Sequence, residues 1–199
     1  MSEPIRFYFD FTSTFSYIAV HKIDALAALY GRDVIWSAVS LGHLFQDLSI
    51  TPPPAIPAKF NYLKIDFPRS CAAAGLPCNF PAVFPPDVKR ARYAFFMLKA
   101  KDEQLSHAFA RALPSRVFGQ GQSIATVDEI MAACTGLSGI KRADIEAAAT
   151  DTGAKRSVIK AVAEAKDVGM CGAPFMIVDG EPFWGADRLG ALESKLAQK

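Results

Sequence analysis

Hydrophobic residues recur along this chain with two different periods, and the changes of period predict where strands and helices lie. Residues 5–9 (IRFYF) form a short β-branched and aromatic run, which is typical of a buried strand. From residue 15 to residue 30 the apolar positions follow helical spacing, and Gly31 ends that segment. In residues 33–41 apolar and polar positions alternate, which predicts a second strand. These three segments predict a β-α-β unit.

The middle of the chain is predicted to be mainly helical. Residues 51–57 (TPPPAIP) form an extended connector, because consecutive prolines favour polyproline geometry. Further along, Thr126 and Glu129 have the spacing of a capping box, which marks the start of a helix. The predicted helices cover about 58–74, 86–100, 103–118, 126–135, 141–149 and 151–169.

Strand character returns near the C-terminus, so the sheet is predicted to combine both ends of the chain. Asp179-Gly180 separates two apolar runs within residues 173–185, as in a hairpin turn, and residues 187–198 form an amphipathic helix. The pattern therefore predicts an α/β protein with one small mixed sheet. Residues 1–50 and 165–199 form a discontinuous domain, and residues 51–164 form an all-helical insertion.

Composition places the chain among ordinary globular proteins and narrows its partners. A hydrophobic content of 51% supplies a sizeable core, and a net charge of +2 gives no electrostatic signal for nucleic acid or a membrane surface. No apolar run is long enough to span a bilayer, and the N-terminus lacks a secretory signal pattern. We therefore expect a cytoplasmic protein whose four cysteines are thiols. The cysteines and three histidines lack zinc-site spacing, so no metal is expected.

Three hydroxyl groups lie where the first strand gives way to a helix, in the stretch DFTSTFSY. In an arbitrary sequence Asp10, Thr12 and Ser13 would be helix N-caps, and Ser16 a structural hydroxyl. The alternative is that the start of the helix is a functional site. A serine hydroxyl without an adjacent base is a poor nucleophile, but it can donate a hydrogen bond to a thiolate.

The order β-α-β, helical block, β-β-α, with Pro174 at the start of the third strand, resembles thioredoxin-like proteins of the DsbA type. Their C-x-x-C motif falls where this chain reads S-x-x-S, at residues 13–16. The stretches FYFDFTSTFSYIA and PFWGADRLGALE resemble 2-hydroxychromene-2-carboxylate isomerases and kappa-class glutathione transferases. The resemblance covers nearly the whole chain. It implies a thioredoxin-like mixed sheet with a helical insertion, glutathione as cofactor, and a homodimer.

The resemblance also implies roles for particular residues. Ser13 would meet the glutathione sulfur, as the catalytic residue. Ala173, before a cis Pro174, would bind the peptide part of glutathione. The γ-glutamyl end would be held by the W-G-x-D stretch, Trp184, Gly185, Ala186 and Asp187. From the residues alone, the side chain of Trp184 is expected in the core, and Asp187 could cap the last helix instead of binding the ligand.

The substrate side departs from the family pattern. Phe45 stands where the isomerases carry a lysine, Phe84 where they carry a tyrosine, and Thr51 where kappa-type relatives carry an asparagine. These are the predicted substrate-binding residues, and they imply an apolar pocket in which a carboxylate lacks its expected cation. Cys171 is expected to be a small buried residue, while His43 is placed near the substrate mouth.

The function that the resemblance implies is isomerisation of a small unsaturated compound from aromatic degradation. The thiolate of glutathione adds reversibly to a double bond, a single bond rotates, and the thiol leaves. One alternative is a kappa-like transferase or peroxidase that consumes glutathione, and another is a thioredoxin-fold binding protein without chemistry. A disulfide oxidoreductase is disfavoured, because exchange needs an attacking thiolate and a resolving partner.

Overall fold

The computed structural model describes residues 3–198 and contains one four-stranded sheet. The strands are β1 (Ile5–Phe9), β2 (Val34–Ala38), β3 (Phe175–Val178) and β4 (Glu181–Trp184), in the spatial order β2-β1-β3-β4. Strand β1 runs parallel to β2 and antiparallel to β3, and β4 pairs with β3 as a hairpin. The predicted mixed sheet, built from both ends of the chain, is confirmed.

Ten α-helices surround the sheet in the described part of the chain. None of the helices in residues 3–198 is both long and apolar enough to cross a membrane. A π-helical turn, Ser115–Gly119, continues the sixth helix. The helices are α1 (Thr14–Val20), α2 (Ile23–Leu29), α3 (Leu41–Asp47), α4 (Pro57–Ala74), α5 (Lys89–Lys101), α6 (Glu103–Pro114), α7 (Val127–Ala133), α8 (Arg142–Ala148), α9 (Thr152–Asp167) and α10 (Leu189–Leu196).

Two local predictions were wrong, and both errors lie beside the cleft described below. The single helix predicted over 15–30 is two helices, because the N–H groups of His21 and Lys22 donate to carbonyls three residues back and tighten the turn. The second strand ends at Ala38 rather than continuing to residue 41. Helix α3 begins at Leu41 instead, where the buried Asp10 carboxylate accepts the backbone N–H at 2.6 Å.

The sheet is covered on both faces by apolar side chains. On one face Phe7, Phe9 and Trp36 pack with Phe95 of α5 and Phe109 of α6 in the larger core cluster. On the other face the strand residues Tyr8, Phe175 and Ile177 pack with Ala161, Val162 and Ala165 of α9. Helices of the middle block therefore cover both faces. The division into residues 1–50 with 165–199 and residues 51–164 stays a prediction, and α9 crosses its second boundary.

Candidate active site

Ser13 lies where the end of β1 meets the start of α1, and it is the N-cap of that helix. Its Oγ accepts a hydrogen bond from the backbone N–H of Ser16 at 3.1 Å, so the capping prediction is confirmed for Ser13 but not for Asp10 or Thr12. The same Oγ donates to the carbonyl oxygen of Ala173 at 2.9 Å, across 160 positions of sequence. Two residues expected to share a site are therefore in direct contact. Ser16 is buried and accepts from the N–H of Asp10, as a structural hydroxyl does.

The loop before β3 is tied to the W-G-x-D turn after β4. The Ala173–Pro174 bond is cis, as predicted. The buried Pro174 accepts a hydrogen bond from the N–H of Gly185 at 2.9 Å through its carbonyl oxygen. Gly185 has φ +108°, and a Cβ at this residue would overlap the Asp187 carboxylate. Only glycine fits this turn, because other residues rarely adopt that φ and would collide with the carboxylate.

Trp184 and Asp187 both present their side chains outward. The prediction that the Trp184 side chain lies in the core was wrong, because the indole is 56% exposed. Successive strand residues face opposite sides, and in β4 it is Phe183 that points into the core. The indole lies against Gly172, where an added Cβ would come within 2.6 Å of Nε1. Asp187 does not cap α10, whose N-cap residue is Arg188, so its carboxylate remains exposed.

These residues line a cleft of about 1700 Å³. We call Ser13, Ala173 and residues 184–187 the Ser13 half of the cleft. Phe45 of α3, Leu63 of α4 and Phe84 form the phenylalanine half. Ligand sites commonly occupy about 300–1000 Å³, so this cleft has room for two small molecules side by side.

Four residues named from the sequence do not line this cleft. Pro174 is buried behind Ala173, and Thr51 is exposed outside the cleft. His43 is exposed, and its Nδ1 lies 2.8 Å from the Ser40 hydroxyl. The prediction that Cys171 is buried was wrong, because its side chain is half-buried, and partial burial raises the pKa of its thiol.

The charges around the cleft are of both signs. Phe45 places no cation at its position, as the sequence predicts, but lysines line the cleft elsewhere. Lys22, Lys59 and Lys89 line it, and none of the three pairs with a carboxylate within residues 3–198. With the exposed carboxylate of Asp187, the cleft offers cations and an anion to a zwitterionic ligand.

A buried ion pair that the sequence analysis missed supports both halves of the cleft. Asp10 is fully buried, and its two carboxylate oxygens lie 2.9 and 3.0 Å from Nη2 of Arg92 in α5. The carboxylate also accepts the N–H groups of Thr12, beside Ser13, and of Leu41, at the start of α3. In the sequence, Arg92 looks like one more cation in a basic helix, so no signal distinguished it.

Residues 4–197 match the family described as the DSBA-like thioredoxin domain. The chain belongs to this family. A 2-hydroxychromene-2-carboxylate isomerase from Sphingobium xenophagum is 30% identical, over 98% of this chain and 99% of the relative. A glutathione S-transferase kappa 1 from Caenorhabditis elegans is 23% identical, over 98% of this chain and 91% of the relative.

The solved structures agree with this grouping. A structure of selenomethionine 2-hydroxychromene-2-carboxylate isomerase matches with a TM-score of 0.86 and 27% identity, covering 98% of this chain and 94% of that chain. The predicted DsbA-like thioredoxin fold and the predicted resemblance to these isomerases are therefore confirmed. The prediction that the protein is an isomerase is confirmed as well.

Proposed function

We propose that this protein is a glutathione-dependent isomerase that acts on a small, largely apolar, unsaturated compound. The observation that carries the proposal is the contact between Ser13 and Ala173 in a cleft shared with Phe45 and Phe84. The Ser13 half then holds the tripeptide with its sulfur beside the serine hydroxyl, and the phenylalanine half holds the acceptor. The isomerase names of the relatives support the reaction class.

The charges around the cleft suit glutathione, which carries one ammonium and two carboxylates. The exposed Asp187 carboxylate offers a partner for the ammonium of the γ-glutamyl group. Lys22, Lys59 and Lys89 offer cations for the two carboxylates. A ligand with several fixed charges gains orientation from such partners even where each exposed pair contributes only about 0–1 kcal/mol.

The nucleophile in this proposal is the sulfur of glutathione and not Ser13. Within residues 3–198, the Ser13 Oγ bonds only to backbone groups, so no base is placed to remove its proton. Its hydroxyl can donate to a thiolate, and a charge-assisted hydrogen bond of this kind contributes about 1.5–3 kcal/mol. At ~1.36 kcal/mol per unit, that lowers the thiol pKa by about one to two units.

The reaction then proceeds through reversible addition. A C–S bond forms as the acceptor double bond opens, and its electron pair moves onto the conjugated system. Rotation follows about the new single bond. The C–S bond then breaks, the double bond re-forms in the other geometry, and the thiolate is regenerated. Glutathione is therefore not consumed.

A second candidate is a kappa-like transferase or peroxidase, which the relative from Caenorhabditis elegans favours. In that case the sulfur keeps its new bond or becomes oxidised, and free thiol disappears during turnover. Thiol titration before and after complete conversion separates the two reactions. A constant thiol concentration supports the isomerase, and a stoichiometric loss supports the alternative.

Glutathione binding can be followed through the intrinsic fluorescence of the protein. Trp36 is buried and Trp184 is 56% exposed in the cleft, and the chain has no other tryptophan. We expect glutathione to change the emission of the wild type and not that of Trp184→Phe. If calorimetry detects no binding at millimolar glutathione, the proposal is wrong and a binding protein without chemistry is favoured.

The role of Ser13 is tested with a variant that removes its hydroxyl at little cost in helix stability. Ser13→Ala removes both the hydroxyl and the cap, at a cost of ~0.5–2 kcal/mol of stability, whereas Ser13→Gly loses only a few tenths. Thr126→Ala, which removes the capping box of α7, is a matched control away from the cleft. We expect Ser13→Gly to raise the pKa of bound glutathione thiol by about one to two units. A wild-type rate in Ser13→Gly would exclude the proposed role.

A further inference from the structure

The hydroxyl hydrogen of Ser13 already has an acceptor within the protein. The Oγ donates to the Ala173 carbonyl at 2.9 Å and accepts from the Ser16 N–H at 3.1 Å. A serine hydroxyl has a single hydrogen to donate. It therefore cannot donate to a bound sulfur while it donates to Ala173, and some event must release it.

The Ala173 carbonyl lies just beyond the end of the sheet ladder. The last β1 pair with β3 is Tyr8 with Phe175, and the next carbonyl back, that of Pro174, is already taken by Gly185. Ala173 and Ser13 both line the cleft, so the hydrogen bond between them borders whatever binds there. An extended peptide placed beside the end of this ladder can present an amide N–H to the Ala173 carbonyl, as in strand addition.

We propose that an amide N–H of the bound thiol peptide takes over the Ala173 carbonyl and thereby releases the Ser13 hydroxyl hydrogen to the sulfur. This inference rests on the proposed function and adds a rule of specificity to it. A thiol that carries an adjacent amide N–H satisfies the carbonyl and receives the hydroxyl hydrogen bond. A thiol without that amide leaves Ser13 bonded to Ala173 and gains nothing from it.

A carbonyl oxygen has two lone pairs, so a competing arrangement must be distinguished. In that arrangement the carbonyl accepts both the ligand N–H and the Ser13 hydroxyl, and no exchange takes place. The two arrangements differ in one observable. With exchange, the bound Ala173 carbonyl no longer depends on Ser13, and without exchange it still does.

The sequence allows this carbonyl to be observed alone. Ala173-Pro174 is the single Ala-Pro step in the chain, so alanine labelled with ¹³C at its carbonyl and proline labelled with ¹⁵N give one coupled carbonyl signal. The ¹³C shift is measured in the wild type and in Ser13→Gly, each with and without saturating glutathione. Thr126→Ala serves as the capping control.

Without glutathione we expect the Ala173 carbonyl shift to differ between the wild type and Ser13→Gly, because only the wild type donates to it. With glutathione we expect the two shifts to coincide. A difference that persists in the bound state overturns the exchange, as does the absence of a difference in the free state. These outcomes are separate from failure of the proposed function, which would show as no effect of glutathione on Trp184 emission.

Discussion

The two halves of the cleft are built from different kinds of group. In the Ser13 half the contacts run through the backbone: the Ala173 carbonyl, the Pro174 carbonyl with the Gly185 N–H, and the N-cap of α1. In the phenylalanine half the contacts come from apolar side chains, those of Phe45, Leu63 and Phe84. Most substitutions leave the backbone geometry unchanged but alter the chemistry of the side chain. Substitutions in the phenylalanine half can therefore change the chemistry of the cleft while the backbone contacts of the Ser13 half stay in place.

The largest effect is expected where the two halves are joined, at the buried pair of Asp10 and Arg92. Replacing Arg92→Met leaves a buried carboxylate without its cation, which costs about 3–5 kcal/mol of unfolding free energy. Urea denaturation measures the loss. Because Asp10 also binds the N–H groups of Thr12 and Leu41, both glutathione binding and acceptor turnover should weaken.

The double variant Asp10→Asn with Arg92→Met is the matched control for that prediction. It removes the uncompensated charge and leaves an amide oxygen for one backbone N–H. We expect it to recover part of the stability lost in Arg92→Met. A double variant less stable than the single one would show that charge compensation is not the cause.

An intermediate effect is expected from placing a cation in the phenylalanine half. Phe45→Lys should strengthen binding of an acceptor that carries a carboxylate by roughly 10- to 100-fold, since a hydrogen bond to a charged group contributes about 1.5–3 kcal/mol. The KM for that acceptor measures the gain. Leu48→Lys adds the same charge just after α3 but outside the cleft, and it should leave KM unchanged. Equal gains in both variants would point to a nonspecific charge effect.

The smallest effect is expected in the Ser13 half, where the Trp184 indole packs against the backbone of Gly172. Gly172→Ala places a Cβ within 2.6 Å of the Trp184 indole nitrogen, so the indole must move away from the loop. We expect the KM for glutathione to rise by up to about tenfold, which equals ~1.4 kcal/mol, with the melting temperature nearly unchanged. Gly190→Ala, which meets no atom within 4 Å, is the control. An unchanged KM would remove Trp184 from the glutathione site.

Most of the fold could be predicted from the sequence, since the strands are short runs rich in apolar residues and Pro174 and the S-x-x-S motif mark the two loops that meet. Contacts between residues far apart in the sequence could not be predicted. Helix α3 has weak local signals and depends on the Asp10 carboxylate at its first N–H. Arg92 has no local feature that separates it from its basic neighbours. The hairpin register pairs Trp184 with the buried Phe175, so the exposure of its indole on the edge strand β4 is a further feature that local sequence did not predict.

The order of strands in the sheet has a consequence for how the chain folds during its synthesis. β1 lies in the middle, with β2 on one side and β3, from the far end of the chain, on the other. A nascent chain still lacking its last segment therefore leaves an open sheet edge on β1, and such edges pair readily with other chains. Chains truncated within residues 51–164 should aggregate. Adding the C-terminal segment as a separate peptide should keep these truncated chains soluble.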